Sequence, residues 1–380
     1  MLSNERVRGI IYQLLLLAAV VGVGWYLISN TLHNLATRQI HVGFDFLGRE
    51  AGFEIAESQI AYSAADTYAR AFAVGLANTL YVAALGILLA TVIGTLVGIA
   101  RLSSNWLLSR LASAYVETMR NIPLLLQLFV WYGIFTELMP PVRQAIAFGD
   151  AVFITQRGLY YPWPQPHVAW QAAGWALPVG IALAGLWRRY ARGLQARTGR
   201  QLPTALPAAL LVFGLPLAAW AALGAPTALS LPELRGFNFR GGRALSPEFL
   251  ALLLGLSTYT AAFIAEIVRA GILAIDRGQS EAALSLGLSR SQELRLVTLP
   301  QALRVIIPPM TSQYLNLTKN SSLAVAIGYP DLVAVANTTM NQTGQAIEAI
   351  AILMAIYLAI SLLISLFMNW YNHRVRLVER

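Results

Sequence analysis

Long apolar runs, broken by short polar ones, fill most of the chain. A helix crossing a bilayer needs about 20 mainly apolar residues. Stretches that meet or approach that need run from about Ile10 to Ser29, Val74 to Ala100, Tyr115 to Leu138, Ala172 to Trp187, Ala205 to Leu223, Glu248 to Ile272, Val305 to Ile327 and Ala346 to Met368. The pattern predicts an all-α, polytopic membrane protein of about eight transmembrane helices. Arg6 and Arg8 precede the first stretch and no clear small-x-small cleavage site follows it, so it is expected as a retained anchor. Val74–Ala100 is rich in small residues, which lets helices approach closely. Pro140 and Pro141 close the third stretch, while Pro207, Pro216 and Pro308 are of a kind membrane helices tolerate. Residues 30–73 read as a polar segment carrying Asp45, Glu50, Glu54, Glu57 and Asp66. Residues 139–171 read as a loop whose Tyr160, Tyr161, Trp163 and Trp170 suit a membrane interface, and 226–247 as a polar loop.

One polar stretch stands apart. Residues 278–309 lie between two apolar runs yet are too polar to cross a membrane. Ser280 is placed to cap a short helix, with Glu281 in the first turn, where the helix dipole favours an anion. Gly287 suits the positive-φ position that ends such a helix. Ser289 and Gln292 have capping-box spacing, so a second helix should begin at once. Pro300 should limit or kink that helix. The expectation is two short helices meeting at a sharp elbow.

Composition narrows the class. The 380 residues are 57% hydrophobic and 12% charged, against about 25% charged in soluble domains. Without cysteine, disulfides and Cys-based metal sites are excluded. His33, His41, His167 and His373 are scattered with no metal-ligand spacing, and neither a Gly-x-Ser-x-Gly nor a Walker A pattern occurs. No catalytic machinery, no ATP hydrolysis and no cofactor are expected of the chain itself. The net charge of +9 sits in arginines beside apolar runs, which points to membrane topology and not to nucleic acid. With the N-terminus placed inside, 17 Lys and Arg residues fall in inner segments and 8 in outer ones. Both termini and the 278–309 elbow are then expected in the cytoplasm.

The elbow is similar to the EAA loop of ABC-importer permeases: E-A-A, three residues, Gly, nine residues, Ile, one residue, Leu-Pro. Glu281, Ala282, Ala283, Gly287, Leu299 and Pro300 hold these positions, and Val297 stands in place of the isoleucine. Residues 75–101, 117–133, 259–275 and 319–332 resemble the permeases of polar-amino-acid importers, a likeness covering about 200 residues. The extra first span and an apparent two-helix insertion at about 139–247 resemble the permease subunits of general L-amino-acid ABC transporters. The resemblance implies a type I ABC-importer permease core over 74–380, preceded by an anchor helix and extracytoplasmic segment over 1–73. It implies import of L-amino acids by alternating access, in a cell inner membrane. It also implies ATPase subunits that bind the ATP and dock on the elbow, a sister permease, and a periplasmic amino-acid-binding protein. In that reading the small Ala282 and Ala283 admit the ATPase closely and Glu281 pairs across the contact. The alternatives are an ABC permease for another solute and an ion-coupled secondary transporter. The EAA spacing argues against the second.

Ionisable residues inside spans are costly and so are candidates for function. Lys319, the sole lysine, stands beside Asn320, Ser321 and Ser322. A helix interrupted there would offer an ammonium and hydroxyls to a carboxylate substrate; alternatively Lys319 pairs with Glu266 or Glu117. Glu266 is a second candidate for the substrate path, or it bridges locally to Arg269 at i, i+3. Glu117 and Arg120 share that spacing. Asn78 and Thr79 either meet substrate or cap the second span.

Overall fold

The computed structural model describes residues 5–37 and 43–375. Arg38, Arg376 and Arg380, which enter the charge count above, and His41 lie outside the described residues. The chain divides into two compact units, Met1–Gly133 with Glu248–Arg380, and Ile134–Pro247. Six helices are long and apolar enough to cross a membrane, or up to eight if each of two bent pairs is one span.

In the first unit, α1 (Glu5–Thr37) is followed by a 3-10 turn at Asp45–Gly48, and α2 (Tyr68–Ala100) by α3 (Trp106–Asn121) and α4 (Leu124–Gly133). Thr67 caps α2 by accepting from the Arg70 amide at 3.3 Å. The third span is therefore not one straight helix from Tyr115: α3 and the helix through Leu138 meet at 107°. Pro123 follows Ile122 at the break, and the residue before a proline is driven out of the helical region; Ile122 is indeed extended. The carbonyls that this leaves open are met from the other side of the break. Gln127 Nε2 donates to Met119 O at 2.8 Å and to Ile122 O at 3.0 Å.

The same unit continues with α8 (Pro247–Leu273), α9 (Arg277–Ser285), α10 (Arg290–Glu293) and α11 (Leu299–Asn320). A 3-10 segment, Ser321–Ile327, leads to α12 (Leu332–Thr343) and α13 (Ala346–Val375). Residues 328–345, between the last two apolar stretches, thus hold a helix. Its stripe of Leu332, Val335 and Ala336 joins Phe46, Tyr68, Phe72 and Ala349 in one buried cluster. Small residues set the helix distances. A Cβ on Gly94 would lie 2.7 Å from Ile264 Cβ, and one on Gly98 2.7 Å from Ala265 O, so α2 and α8 pack backbone to backbone.

The second unit holds α5 (Val168–Thr198), α6 (Ala205–Ala209), a π turn at Leu210–Gly214 and α7 (Leu215–Ala222). The fourth span is longer than the apolar pattern shows, because α5 continues through its arginines. Strands were not expected in this chain, yet the two polar loops of the insertion, around 139–171 and 226–247, hold antiparallel β-structure. β1 (Ile146–Phe148), β2 (Val152–Thr155), β3 (Gly158–Tyr161) and β8 (Arg243–Leu245) form one sheet in the order β1-β2-β3-β8. β4 (Trp163–Pro164) pairs with β5 (Leu229–Ser230), and β6 (Glu233–Arg235) with β7 (Asn238–Arg240). Phe239 stacks on Phe153 with centroids 4.5 Å apart and lies 4.9 Å from Tyr160, which gives the sheet a small core. Runs of two to four residues are too short for alternation to stand out in a sequence.

Candidate functional site

The elbow forms, with one shift at its start. Asp276, not Ser280, caps α9, its carboxylate accepting from the Gly278 amide at 3.3 Å. At the other end Gly287 has φ +81°, which only glycine adopts without strain. The Leu288 amide reaches Ala283 O at 3.2 Å and the Gly287 amide reaches Leu284 O at 3.0 Å. These two bonds make a Schellman motif that closes the last turn of α9. The capping box follows: Ser289 N donates to Gln292 Oε1 at 2.9 Å, and Gln292 N to Ser289 Oγ at 3.3 Å. Pro300 does not end the second helix. A π-helical stretch, Leu294–Thr298, widens the chain ahead of it, and Pro300 then occupies the first turn of α11, where its missing N–H is harmless.

Glu293 ties this elbow together, and nothing in the motif spacing marks it. Its Oε1 accepts from Ser280 Oγ at 2.7 Å and from Thr298 Oγ1, joining α9 to the π turn. These donors hold its carboxyl below the ordinary carboxylate range. Glu281 and Ala282 are exposed, whereas Ala283 is turned inward and is 4% exposed. Leu286 is 84% exposed, and Leu284, Leu294, Leu296 and Leu299 are exposed as well. The outer face of the elbow is therefore one carboxylate among uncovered leucines.

Behind the elbow, Glu266 of α8 joins three helices. Arg269 Nη2 donates to its Oε1 at 2.7 Å, and Arg101, at the end of α2, donates to its Oε2. Arg101 also reaches Ser113 of α3 at 3.4 Å. The local Glu266–Arg269 bridge expected from spacing is present, and Arg101 adds the inter-helix arm. Glu117 and Arg120 form no such bridge among the described residues; the Arg120 guanidinium lies 5.2 Å over the Phe263 ring.

The helix carrying Lys319 is interrupted where the sequence suggests. α11 ends at Asn320 and the chain tightens into the 3-10 segment. Ser321 Oγ donates to Thr318 O at 2.7 Å and Ser322 Oγ to Lys319 O at 2.8 Å, so both hydroxyls satisfy carbonyls at the end of the helix, and Ser321 is itself fully buried. Lys319 is exposed. Pairing with Glu266 is not the arrangement found, since two guanidinium groups occupy that carboxylate, and no ion pair to Glu117 occurs among the described residues.

Asn78 and Thr79 do not begin α2. They are buried a third of the way along it and serve other segments. Asn78 Nδ2 donates to Glu57 O and to Pro330 O, each at 2.8 Å, and its Oδ1 accepts from Gln59 N at 3.3 Å. Thr79 Oγ1 accepts from Leu332 N at 3.1 Å, which caps α12 from a neighbouring helix. Asp331, buried at the N-terminus of α12, accepts from Ala334 N at 2.8 Å. Polar residues in an apolar run suggest such a role; Pro330 and Leu332, which Asn78 and Thr79 meet, are 252 and 253 residues away and leave no local signal.

Comparison with known proteins gives a consistent answer. The family described as binding-protein-dependent transport system inner membrane component matches residues 86–377. YhdX of Escherichia coli (strain K12), which is named as an amino-acid ABC transporter permease protein, is 53% identical over 379 residues, covering 100% of this chain and 96% of that one. The general L-amino acid transport system permease protein AapQ of Rhizobium johnstonii is 49% identical, covering 99% and 94%. Among solved structures, an amino acid ABC transporter crystallised with histidines is 22% identical with a TM-score of 0.47, over 81% of this chain and 95% of that one.

Proposed function

Because this chain belongs to the family of binding-protein-dependent transport system inner membrane components, we propose that it is the permease subunit of an ABC importer that carries L-amino acids into the cell. The observation that carries this reading is the elbow. It keeps the E-A-A to Leu-Pro register, holds its angle by a Schellman turn, a capping box and the Glu293 tether, and presents Glu281 and Ala282 with exposed leucines. Such a surface suits a partner that must push. The substrate class is supported by the names of YhdX and AapQ, which concern amino acids.

In this reading ATP is bound by partner ATPase subunits and the chain itself catalyses nothing. Both termini are cytoplasmic, as the arginine asymmetry supports. Closure of the ATPases presses on Glu281–Leu299, and α11 carries the displacement towards Lys319. The Arg101–Glu266–Arg269 bridge makes α2, α3 and α8 move together. Substrate released by a periplasmic amino-acid-binding protein meets the interrupted helix at Lys319, Asn320 and Ser322, while the buried Ser321 holds the helix end beneath them. Glu266 is not free to take part there, being committed to its two arginines. A sister permease completes the pathway.

The test is uptake. The chain would be co-expressed with a candidate sister permease, ATPase and binding protein, purified as a complex and reconstituted with labelled L-amino acids. ATP-dependent uptake, competed by several L-amino acids, is the expected result. Transport of an unrelated solute alone would replace the substrate class and leave the permease reading intact.

A further inference from the structure

The insertion carries a charge arrangement that the transport reading does not use. Between Asp150 and Glu233 the sequence has no acidic residue, yet Arg188, Arg189, Arg192, Arg197 and Arg200 fall within thirteen positions. All five are exposed, and among the described residues none forms an ion pair. The length of α5 sets their depth. Its 31 residues span about 46 Å at 1.5 Å per residue, well beyond a hydrocarbon core of about 30 Å. With the apolar run Ala172 to Trp187 set in that core, the arginines begin at its edge, where headgroups begin. Trp187 marks the level: its Nε1 donates to Pro203 O at 3.2 Å, and Tyr190 packs against it with centroids 6.0 Å apart. Gly199, at φ +70°, then turns the chain back towards Pro203. On the helical wheel Arg188, Arg192 and Arg189 lie within about 100° of one another. Arg188 flanks the buried Ala184 and Ala191, Arg192 and Arg189 turn progressively away from them, and all three side chains are exposed.

We propose that this face binds the phosphates of anionic lipid headgroups in the cytoplasmic leaflet and anchors the insertion to them. Guanidinium groups match phosphate oxygens in pairs, and several basic residues just beyond a membrane helix attract anionic lipid. The proposal rests on the topology given above, in which residues 188–200 face the cytoplasm.

The experiment uses the assembled transporter. Wild type, R188Q/R189Q/R192Q and R188K/R189K/R192K complexes are exposed to mixed micelles of phosphatidylglycerol or phosphatidylcholine, and retained lipid is counted by native mass spectrometry. Each arginine is expected to contribute about fivefold, so the glutamine variant should hold phosphatidylglycerol on the order of 100-fold more weakly. The lysine variant should retain most of the binding, and phosphatidylcholine should be unaffected. Should the glutamine variant fail to assemble, wild type alone decides: raising the salt should release phosphatidylglycerol and not phosphatidylcholine. Equal retention by wild type and the glutamine variant, or no salt effect, overturns the proposal. Unchanged lipid with lost ATPase co-purification also overturns it, giving the arginines to the ATPase. R192C, in this cysteine-free chain, tests the underlying topology by itself: labelling from outside refutes it, whatever the lipid result.

Discussion

Ser280 and Glu293 stand on opposite arms of the elbow, thirteen residues apart, and are joined by a 2.7 Å hydrogen bond. Thr298 binds the same carboxylate oxygen. The elbow is thus a braced lever and not a hinge. Glu293→Ala should uncouple ATP hydrolysis from uptake while the complex still assembles, and Glu293→Gln should be milder because it keeps an acceptor oxygen. The pKa of Glu293 is lowered in the folded chain, so its tether is complete above the unfolded carboxylate pKa and is lost only as pH falls through the lowered value. Coupling efficiency should therefore show no titration from this group between about pH 6 and 8, set by an ordinary carboxylate pKa near 4.3.

Gly287→Val tests the same lever differently. The positive φ makes a β-branched residue cost about 1–2 kcal/mol, and a Cβ there would meet nothing within 4 Å. The defect should come from backbone strain alone. Reduced substrate-stimulated ATPase activity with a normal amount of inserted chain is the expected measurement.

Asn78 holds three segments through one side chain. Asn78→Leu removes its hydrogen bonds to two half-buried carbonyls and an amide, a loss of about 3 kcal/mol in total. The Tm of the purified complex should fall by roughly 5 °C or more. Asn78→Asp, which sets a buried carboxylate against those two carbonyl oxygens, should cost at least as much.

Arg101 and Arg269 share Glu266, but Arg101 is the more buried, with 12% of its side chain exposed against 33%. Arg101→Met should therefore destabilise more than Arg269→Met, by about 1–2 kcal/mol against less than ~1 kcal/mol. Glu266→Gln, which leaves both guanidinium groups without a counter-charge, should be worse than either. Thermal unfolding of the three variants gives the order directly.

Lys319→Met should raise the KM for amino-acid uptake about tenfold or more, the scale of a lost charge-assisted hydrogen bond, with the amount of inserted chain unchanged. Unchanged KM with a lower amount of inserted chain would give the lysine a folding role instead.

What the sequence reveals and hides follows from range. Gly287, the Ser289–Gln292 box and the break beside Lys319 are written in neighbouring residues, and all three are found. The apolar stretches likewise mark the six helices long enough to cross a membrane and both bent pairs among the described residues. The 107° turn before Leu124 has a local sign in Pro123, but Gln127, which makes that turn tolerable, reaches back five and eight residues. Thr79 caps a helix that starts at Leu332, and Arg101 completes a bridge at Glu266; neither pairing leaves a period or a motif. α12 hides in a stretch only twelve residues long, too short to register as a span. The strands of the insertion are shorter still.

In the proposed function this chain moves solute only when a separate ATPase pushes on its elbow. Vesicles would hold the chain with its sister permease, with or without the ATPase subunits, and with Glu281 or Glu281→Lys. Accumulation of labelled L-amino acid against a gradient is predicted only with ATPase, ATP and Glu281 together. Accumulation without the ATPase, or undiminished accumulation by Glu281→Lys, would contradict the account.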